Sequence, residues 1–339
     1  MTRWTAVLCL WALAAAAPAL AQGRSSATLD AIRARGTLVC GVSGINSGFS
    51  LPDSQGVMQG LDADTCRAIT AAILGDATKV RFVPLNPIAR FTALQSGEVD
   101  LLVRTTTWTL GREANLGLEF AGINFYDGTG FMVRTDSGIK SAKELDGAAV
   151  CVQPGSSTEY ALSDYFRRSA LLLTPVLIQD GNEVQAAFIA GRCDAYASDA
   201  STLASFRHQQ GRRAGDYTLL PEIVSKEPLG VMVRKGDGKF FDAVRWTLFA
   251  LLQAEESGVS RGNVDAMLAS TNPDVRRLLG QEGALGQSLG LDNGFAAAAI
   301  RAVGNYGEVF DQSIGPLGIP RGINNLWNKG GLHYAPPMR

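Results

Sequence analysis

The sequence predicts an α/β protein of two lobes, each built on a largely parallel sheet, with a ligand cleft between them. Three observations lead there. From Leu38 to Val103, strand-like apolar runs alternate with helical segments, and a βαβαβ order of this kind requires the crossovers of a parallel sheet. One unit then occurs twice. Ser96-Gly-Glu-Val-Asp-Leu-Leu-Val-Arg-Thr105 and Ala190-Gly-Arg-Cys-Asp-Ala-Tyr-Ala-Ser-Asp199 each follow an amphipathic segment, turn on a glycine and begin a strand at an aspartate. Finally, Gly130-Phe-Met-Val-Arg134 and Gly230-Val-Met-Val-Arg234 bracket a middle section with its own strand-helix alternation. Read as two crossover strands near Phe131 and Val231, they make the first lobe discontinuous. Residues 22–130 and 232–339 then form lobe 1, with a helical C-terminal extension, and residues 131–231 form lobe 2.

The chain opens with Met1-Thr-Arg-Trp, an apolar run from Ala6 to Ala17 and an Ala19-Leu20-Ala21 site, the pattern of a cleaved secretory signal over residues 1–21. The apolar run is well short of the ~20 residues that a membrane span needs. Leu29 to Arg35 then reads as a short helix and Leu38 to Val42 as the first strand. A Gly- and Ser-rich loop from Gly41 to Ser50 and a turn or hairpin from Gly56 to Gly60 follow. Asp62 or Asp64 is expected to cap a helix running through Leu74, because an aspartate side chain accepts free amides at a helix start. Lys79 to Pro84 is the next strand, and Asn86-Pro87 opens the helix that carries Arg90. In the middle section, Ala148 to Val152 and Pro175 to Ile178 read as strands and Ser157 to Arg168 as a helix, with Ser157 as its cap. After Lys239 a long helix places Phe241, Val244, Leu248, Leu251 and Leu252 on one face. The helical remainder packs back on lobe 1, and Gly315 to Arg339, rich in Gly, Pro and Asn, wraps the surface.

The chemistry concentrates at the ends of the repeated unit. Behind the apolar run Val99 to Val103 come Thr105, Thr106, Thr107, Trp108 and Thr109, closing on Arg112. Alone, this reads as a threonine-rich turn with a surface arginine. The second copy changes that, because five residues beyond the aspartate one copy offers Thr105 and the other Asp199. Open α/β sheets bind ligands at the carboxyl ends of their strands, and a guanidinium grips a carboxylate through two parallel hydrogen bonds. One side thus supplies a cation and hydroxyls and the other a carboxylate, which together complement a zwitterion. Between them, Gln153-Pro-Gly-Ser-Ser-Thr-Glu159 opens a helix, whose unpaired amides favour anions.

Net charge is −1 and no basic patch stands out, so no nucleic-acid partner is expected. Once Cys9 leaves with the signal, Cys40, Cys66, Cys151 and Cys193 remain, an even number in an oxidising compartment, with three pairings open to them. Pairing within each lobe, Cys40 with Cys66 and Cys151 with Cys193, is favoured because a bridge between lobes would lock the cleft. No close Cys/His pair suggests a metal site, and no cofactor motif occurs.

With these residues in place, the chain resembles the periplasmic amino-acid-binding proteins of ABC importers, solute-binding family 3, and within them the general L-amino-acid binders. The resemblance is carried by Gly41 to Asp64, Thr105 to Arg112, Gln153 to Thr158 and Cys193 to Asp199, and by Gly304-Asn-Tyr-Gly-Glu308 and Leu326-Trp-Asn-Lys-Gly-Gly-Leu332 near the end. It implies a type II periplasmic-binding-protein fold, a periplasmic location, an L-amino acid ligand, permease subunits in the inner membrane as partners, and a monomer. It also implies that Arg112 holds the α-carboxylate, with backbone amides at Thr107 and Ser157. Asp199 would take the α-ammonium, helped by Thr105 and Thr107. Asn46, Phe49, Asn86, Arg90, Trp108 and Ser156 would line the side-chain pocket. Many members carry an aromatic ring shortly before the Phe of the first loop. Here the segment is Asn46-Ser-Gly-Phe49, and a less filled pocket suits broad specificity.

Two other readings fit the same fold. A dehydratase-like enzyme is disfavoured because the two histidines, His208 and His333, lie near no motif, leaving a carboxylic acid such as Glu159 as the remaining candidate. A sensor subunit that reports ligand occupancy to a membrane receptor would bind identically.

Overall fold

Two five-stranded sheets form the two lobes in the computed structural model, which describes residues 26–339. The signal-peptide reading of residues 1–21 lies outside the described residues. In chain order, the first lobe begins with α1 (Ala27–Arg35), β1 (Leu38–Val42), β2 (Leu51–Pro52), β3 (Met58–Gln59), α2 (Leu61–Leu74), β4 (Val80–Pro84), α3 (Ala89–Ser96), β5 (Leu101–Thr107), α4 (Leu110–Asn115) and β6 (Leu118–Asp127). The second lobe comprises β7 (Thr129–Arg134), β8 (Ala149–Val152), α5 (Ser157–Arg168), β9 (Thr174–Leu177), α6 (Gly181–Ile189), β10 (Ala195–Asp199), α7 (Ala200–Gln209) and β11 (Tyr217–Leu219). The chain returns through β12 (Glu227–Arg234) into α8 (Gly238–Glu256). It ends in shorter helices, α9 (Val264–Met267), α10 (Pro273–Leu278), α11 (Leu285–Ser288), α12 (Phe295–Val303) and α13 (Tyr306–Ser313), followed by an irregular tail.

The first sheet has the order β4-β1-β5-β12-β6, parallel through β4, β1 and β5, then antiparallel. The second has the order β11-β7-β10-β8-β9, with β10, β8 and β9 parallel. Both faces of the first sheet are covered, which is why β5 is buried along its whole length. Leu101 and Val103 enter the larger core with α2, α8 and α12, whereas Leu102 faces Leu94, Val99 and Phe120 on the α3 side. In the second lobe, α5 packs Leu162, Tyr165 and Phe166 on one face, and α6 and α7 pack Val184, Phe188, Leu203 and Phe206 on the other.

The expected boundaries at residues 131 and 231 fall inside strands rather than between lobes. β7, with Phe131, lies wholly in the second sheet, and β12, with Val231, lies wholly in the first. The chain therefore crosses at Gly128, directly after β6, and returns just before Glu227. The reason is that β6, an edge strand that sequence reading did not separate from β7, continues the first sheet up to Asp127.

The long helix buries Phe240 rather than Phe241, whose ring instead lies under the Arg245 guanidinium at 4.1 Å. The C-terminal extension packs on lobe 1, and its tail is tied to the edge strand. The Asn324 side chain accepts from Tyr126 N–H at 2.7 Å and donates to Tyr126 O at 2.9 Å. Tyr306 donates to Asn124 O at 3.0 Å and meets His333 Nε2 at 2.8 Å. Disulfides join Cys40 to Cys66 and Cys151 to Cys193, each inside one lobe. Cys193 sits just before β10.

Candidate functional site

The site is assembled where the tips of β5 and β10 meet. β5 does not run straight to its end. Pairing with β12 shifts register between Gly230 and Met232, and Thr105 adopts a left-handed φ of 42°. A β-branched residue is costly in that region unless its surroundings hold it. The holding group is Asp62, whose carboxylate accepts from Thr105 N–H at 3.2 Å and from Asn124 Nδ2 at 2.8 Å. Neither Asp62 nor Asp64 caps α2, as the sequence suggested. Gly60 occupies the cap position with no side-chain bond, and Asp64 pairs with Arg67. Burial pushes the Asp62 carboxyl up to about 6.

β10 ends directly at Asp199, which occupies the N-cap position of α7 yet makes no cap bond. Asp127 does that work from the first lobe: it accepts from Ser201 N–H at 3.3 Å and from the Ser201 hydroxyl. Asp199 is thereby released, and its Oδ1 is buried without a hydrogen-bond partner. Burial raises the Asp199 carboxyl well above the usual range, with Asp127 and Glu227 adding like-charge repulsion and Arg90 and Arg112 opposing it.

Three guanidiniums converge on the opposite side. Arg112 Nη1 donates to Thr107 O at 2.8 Å, and its guanidinium lies 5.4 Å from the Phe91 ring centre. Arg90 lies 4.7 Å from the same ring, is 2 % exposed, and has an unpartnered Nε. Arg104 is buried too and donates from Nε to Leu85 O at 2.7 Å. Burial and the neighbouring cations push Arg90 downward, and burial lowers Arg104 to about 10 despite the Asp199 and Asp62 charges. Gathering three cations out of water is costly, and the surrounding carboxylates Asp199, Glu227 and Asp62 offset part of it.

The lobes meet at named points. Thr107 Oγ1 and Ser157 Oγ lie 2.8 Å apart, Asn46 Nδ2 donates to Thr202 Oγ1 at 3.3 Å, and Gln209 Nε2 donates to Ile45 O at 3.2 Å. Asn46 Oδ1 remains buried and unpartnered. Ser156, not Ser157, caps α5: its hydroxyl accepts from Glu159 N–H at 3.2 Å and donates to Gln153 O at 2.7 Å. That leaves the Ser157 hydroxyl free to reach across to Thr107.

Of the expected residues, Arg112, Asp199, Thr105, Thr107, Ser157, Arg90 and Asn46 come together at this junction. Phe49 does not: it is fully buried in the lobe 1 core, edge-on to Phe125 at 5.2 Å. The Trp108 ring stacks on Phe120 at 5.2 Å and donates to Glu113. Asn86 holds the start of α3, accepting from Ile88 and Ala89 N–H at 3.0 and 2.8 Å. Arg104, Asp127 and Glu227 were missed. Arg104 carried a readable signal, a lone charge within an apolar strand. Asp127 and Glu227 carried none, since only the crossing of the two sheets gives them their place.

The chain matches the model of the bacterial extracellular solute-binding proteins, family 3, over residues 38–275. It is 52% identical to the glutamate/glutamine/aspartate/asparagine-binding protein BztA of Rhodobacter capsulatus, over 96% of this chain and 97% of that one. It is 50% identical to the general L-amino acid-binding periplasmic protein AapJ of Rhizobium johnstonii, over 97% and 99%. Among solved structures, an ABC transporter/periplasmic binding protein from Brucella ovis with glutathione bound superposes with a TM-score of 0.90 at 50% identity, covering 93% of this chain and 100% of that one. The two lobes have the type II periplasmic-binding architecture. From matched model, relatives and fold together, this chain belongs to the bacterial extracellular solute-binding proteins, family 3.

Proposed function

We propose that the protein captures L-amino acids with broad specificity in the periplasm and, as a monomer, delivers them to the permease subunits of an ABC importer. The observation that carries this reading is the set of buried polar atoms without partners at the lobe junction: Asp199 Oδ1, Arg90 Nε and Asn46 Oδ1. Buried polar groups are costly to leave unpaired, so a zwitterion bound between the lobes stabilises their closure. Arg112, with the amides of Thr107 and Ser157, takes the α-carboxylate. Asp199, with Thr105 and Thr107, takes the α-ammonium. Arg90 and Asn46 read the side chain, and a buried guanidinium there suits ligands with an oxygen acceptor. The name of the Rhodobacter relative, which cites acidic and amide amino acids, supports that preference.

Titration calorimetry with the twenty amino acids tests the assignment. Arg112→Ala and Asp199→Asn each leave a buried ligand charge unpaired, and every amino acid should weaken by about a hundredfold or more. Asn46→Ala and Arg90→Ala should instead change the ranking among amino acids. An Asp199→Asn protein that folds and binds as tightly as the parent would show that the ammonium is held elsewhere.

A further inference from the structure

We infer that Glu227 is a positioning residue: it sets the direction of the Thr107 hydroxyl and so makes the lobe junction accept hydrogen bonds from the ligand's ammonium group. The inference rests on reading the cleft as an amino-acid site. Glu227 is the first residue of β12, opposite Asp127 in register, and is 2 % exposed. Its carboxylate is held by three hydroxyls from three parts of the chain. Oε2 accepts from Thr107, at the tip of β5. Oε1 accepts from Thr129 at 3.2 Å, at the start of the second lobe, and from Ser225, on the returning segment.

The consequence follows from counting protons. A carboxylate only accepts, and a hydroxyl has one proton and two lone pairs. The single Thr107 proton goes to Glu227. The 2.8 Å contact between Thr107 and Ser157 must then be donated by Ser157, with Thr107 accepting. Thr107 Oγ1 keeps one lone pair and no proton, so only a donor can bond to it. An ammonium is such a donor. A ligand carboxylate oxygen placed there would face lone pair against lone pair. Ser157 has also spent its proton, which leaves its backbone N–H for the ligand's carboxylate. The polarity of the pair of hydroxyls is therefore imposed by a side chain that need not touch the ligand.

Glu227→Gln tests this while keeping the shape. The amide oxygen can still accept from Thr129 and Ser225, but the NH2 group donates to Thr107 Oγ1, which must then turn its own proton elsewhere. The readout is the ratio of Kd values for L-glutamine and for glutaramate, the same molecule without its ammonium group, with thermal unfolding as the check on folding. The parent should prefer glutamine strongly. Glu227→Gln should lose at least tenfold of that preference, through weaker glutamine binding with glutaramate binding unchanged or tighter. Thr107→Val, which keeps the shape of the side chain without the hydroxyl, should lose preference in the same direction and carries the test if the Gln variant does not fold. If the variants weaken both ligands equally, Glu227 and Thr107 only brace the crossing segments and the inference fails. A parent that binds no amino acid overturns the functional reading, and the inference with it.

Discussion

Strands β5 and β10 begin alike and end differently. Asp100 N–H donates to Val39 O at 2.8 Å while its carboxylate accepts from Val39 N–H at 2.7 Å. Asp194 N–H donates to Ala149 O at 2.8 Å and its carboxylate accepts from Ala149 N–H at 2.8 Å. Each aspartate thus clasps the neighbouring parallel strand and sets the register, so that Cys40 faces Leu101 and Val150 faces Ala195. Counting forward from these anchors makes Thr105 and Asp199 equivalent positions. Beyond them the lobes diverge. β10 passes straight into α7, and its terminal carboxylate is released because Asp127 caps the helix in its stead. β5 turns aside at Thr105, steadied by Asp62, and runs on to Thr107. One framework therefore presents an anion in one lobe and hydroxyls beside guanidiniums in the other, and the difference lies in which neighbour satisfies the backbone at the tip.

The disulfides offer the widest test of how similar the two frameworks are. They span 42 residues in the second lobe and 26 in the first. On chain entropy, replacing Cys151 and Cys193 together by serine should cost about 4 kcal/mol and replacing Cys40 and Cys66 about 3.5 kcal/mol. Denaturant unfolding of the two double variants measures both. A bridge whose loss leaves stability unchanged would mean that its lobe is held by packing alone.

Next in size is the pH dependence that Asp62 gives to the first lobe, beneath the turned end of β5. The Asp62 carboxyl is raised from 3.8 to about 6 in the folded state. Between those values the native protein holds a proton that the unfolded chain releases, so stability falls as pH rises through the window. Relative to Asp62→Asn, the parent should lose about 2 kcal/mol between pH ~4 and pH ~6, out of about 3 kcal/mol in all, with the loss complete near pH ~7. Unfolding curves of both proteins at several pH values read the difference directly. A constant gap across that range would show that Asp62 is ionised throughout.

The smallest contrast lies within α5, between adjacent serines. Ser156→Ala removes the cap and should lower stability by about 1 kcal/mol with little change in ligand binding. Ser157→Ala should leave stability nearly unaltered but weaken binding by roughly threefold to tenfold, the worth of one hydrogen bond between the lobes. Thermal unfolding and calorimetry on both variants would exchange their results if Ser157 were the cap.

Much of this was legible in the chain because it depends on local chemistry. The glycine at each turn, the aspartate starting each strand, the cysteine pair within each lobe and the Thr-rich run closing on Arg112 are short-range patterns with short-range causes. What misled was also local. Phe49 follows a Gly- and Ser-rich loop and looks available to a ligand, yet the loop folds inward and places its ring on Phe125. Asn86 and Ser156 look like pocket residues, yet free amides at the starts of α3 and α5 donate to their side-chain oxygens. Trp108 sits within the key run, but its ring stacks on Phe120 and its indole N–H is taken by Glu113.

The sequence by itself determined the two sheets, their parallel centres, the equivalence of Thr105 with Asp199, and the charged and hydroxyl residue types gathered at the lobe junction. Only the tertiary structure decided where the chain crosses between lobes and which charges share the junction. Asp127, Glu227 and Arg104 acquire their roles from neighbours far along the chain: Asp127 from Ser201, Glu227 from Thr107 and Thr129, Arg104 from Leu85 and the Asp199 charge. Periodicity and capping act over a few residues and leave a trace in the sequence. Electrostatic coupling and hydroxyl direction depend on distances through space, which exist only once both sheets have formed and met.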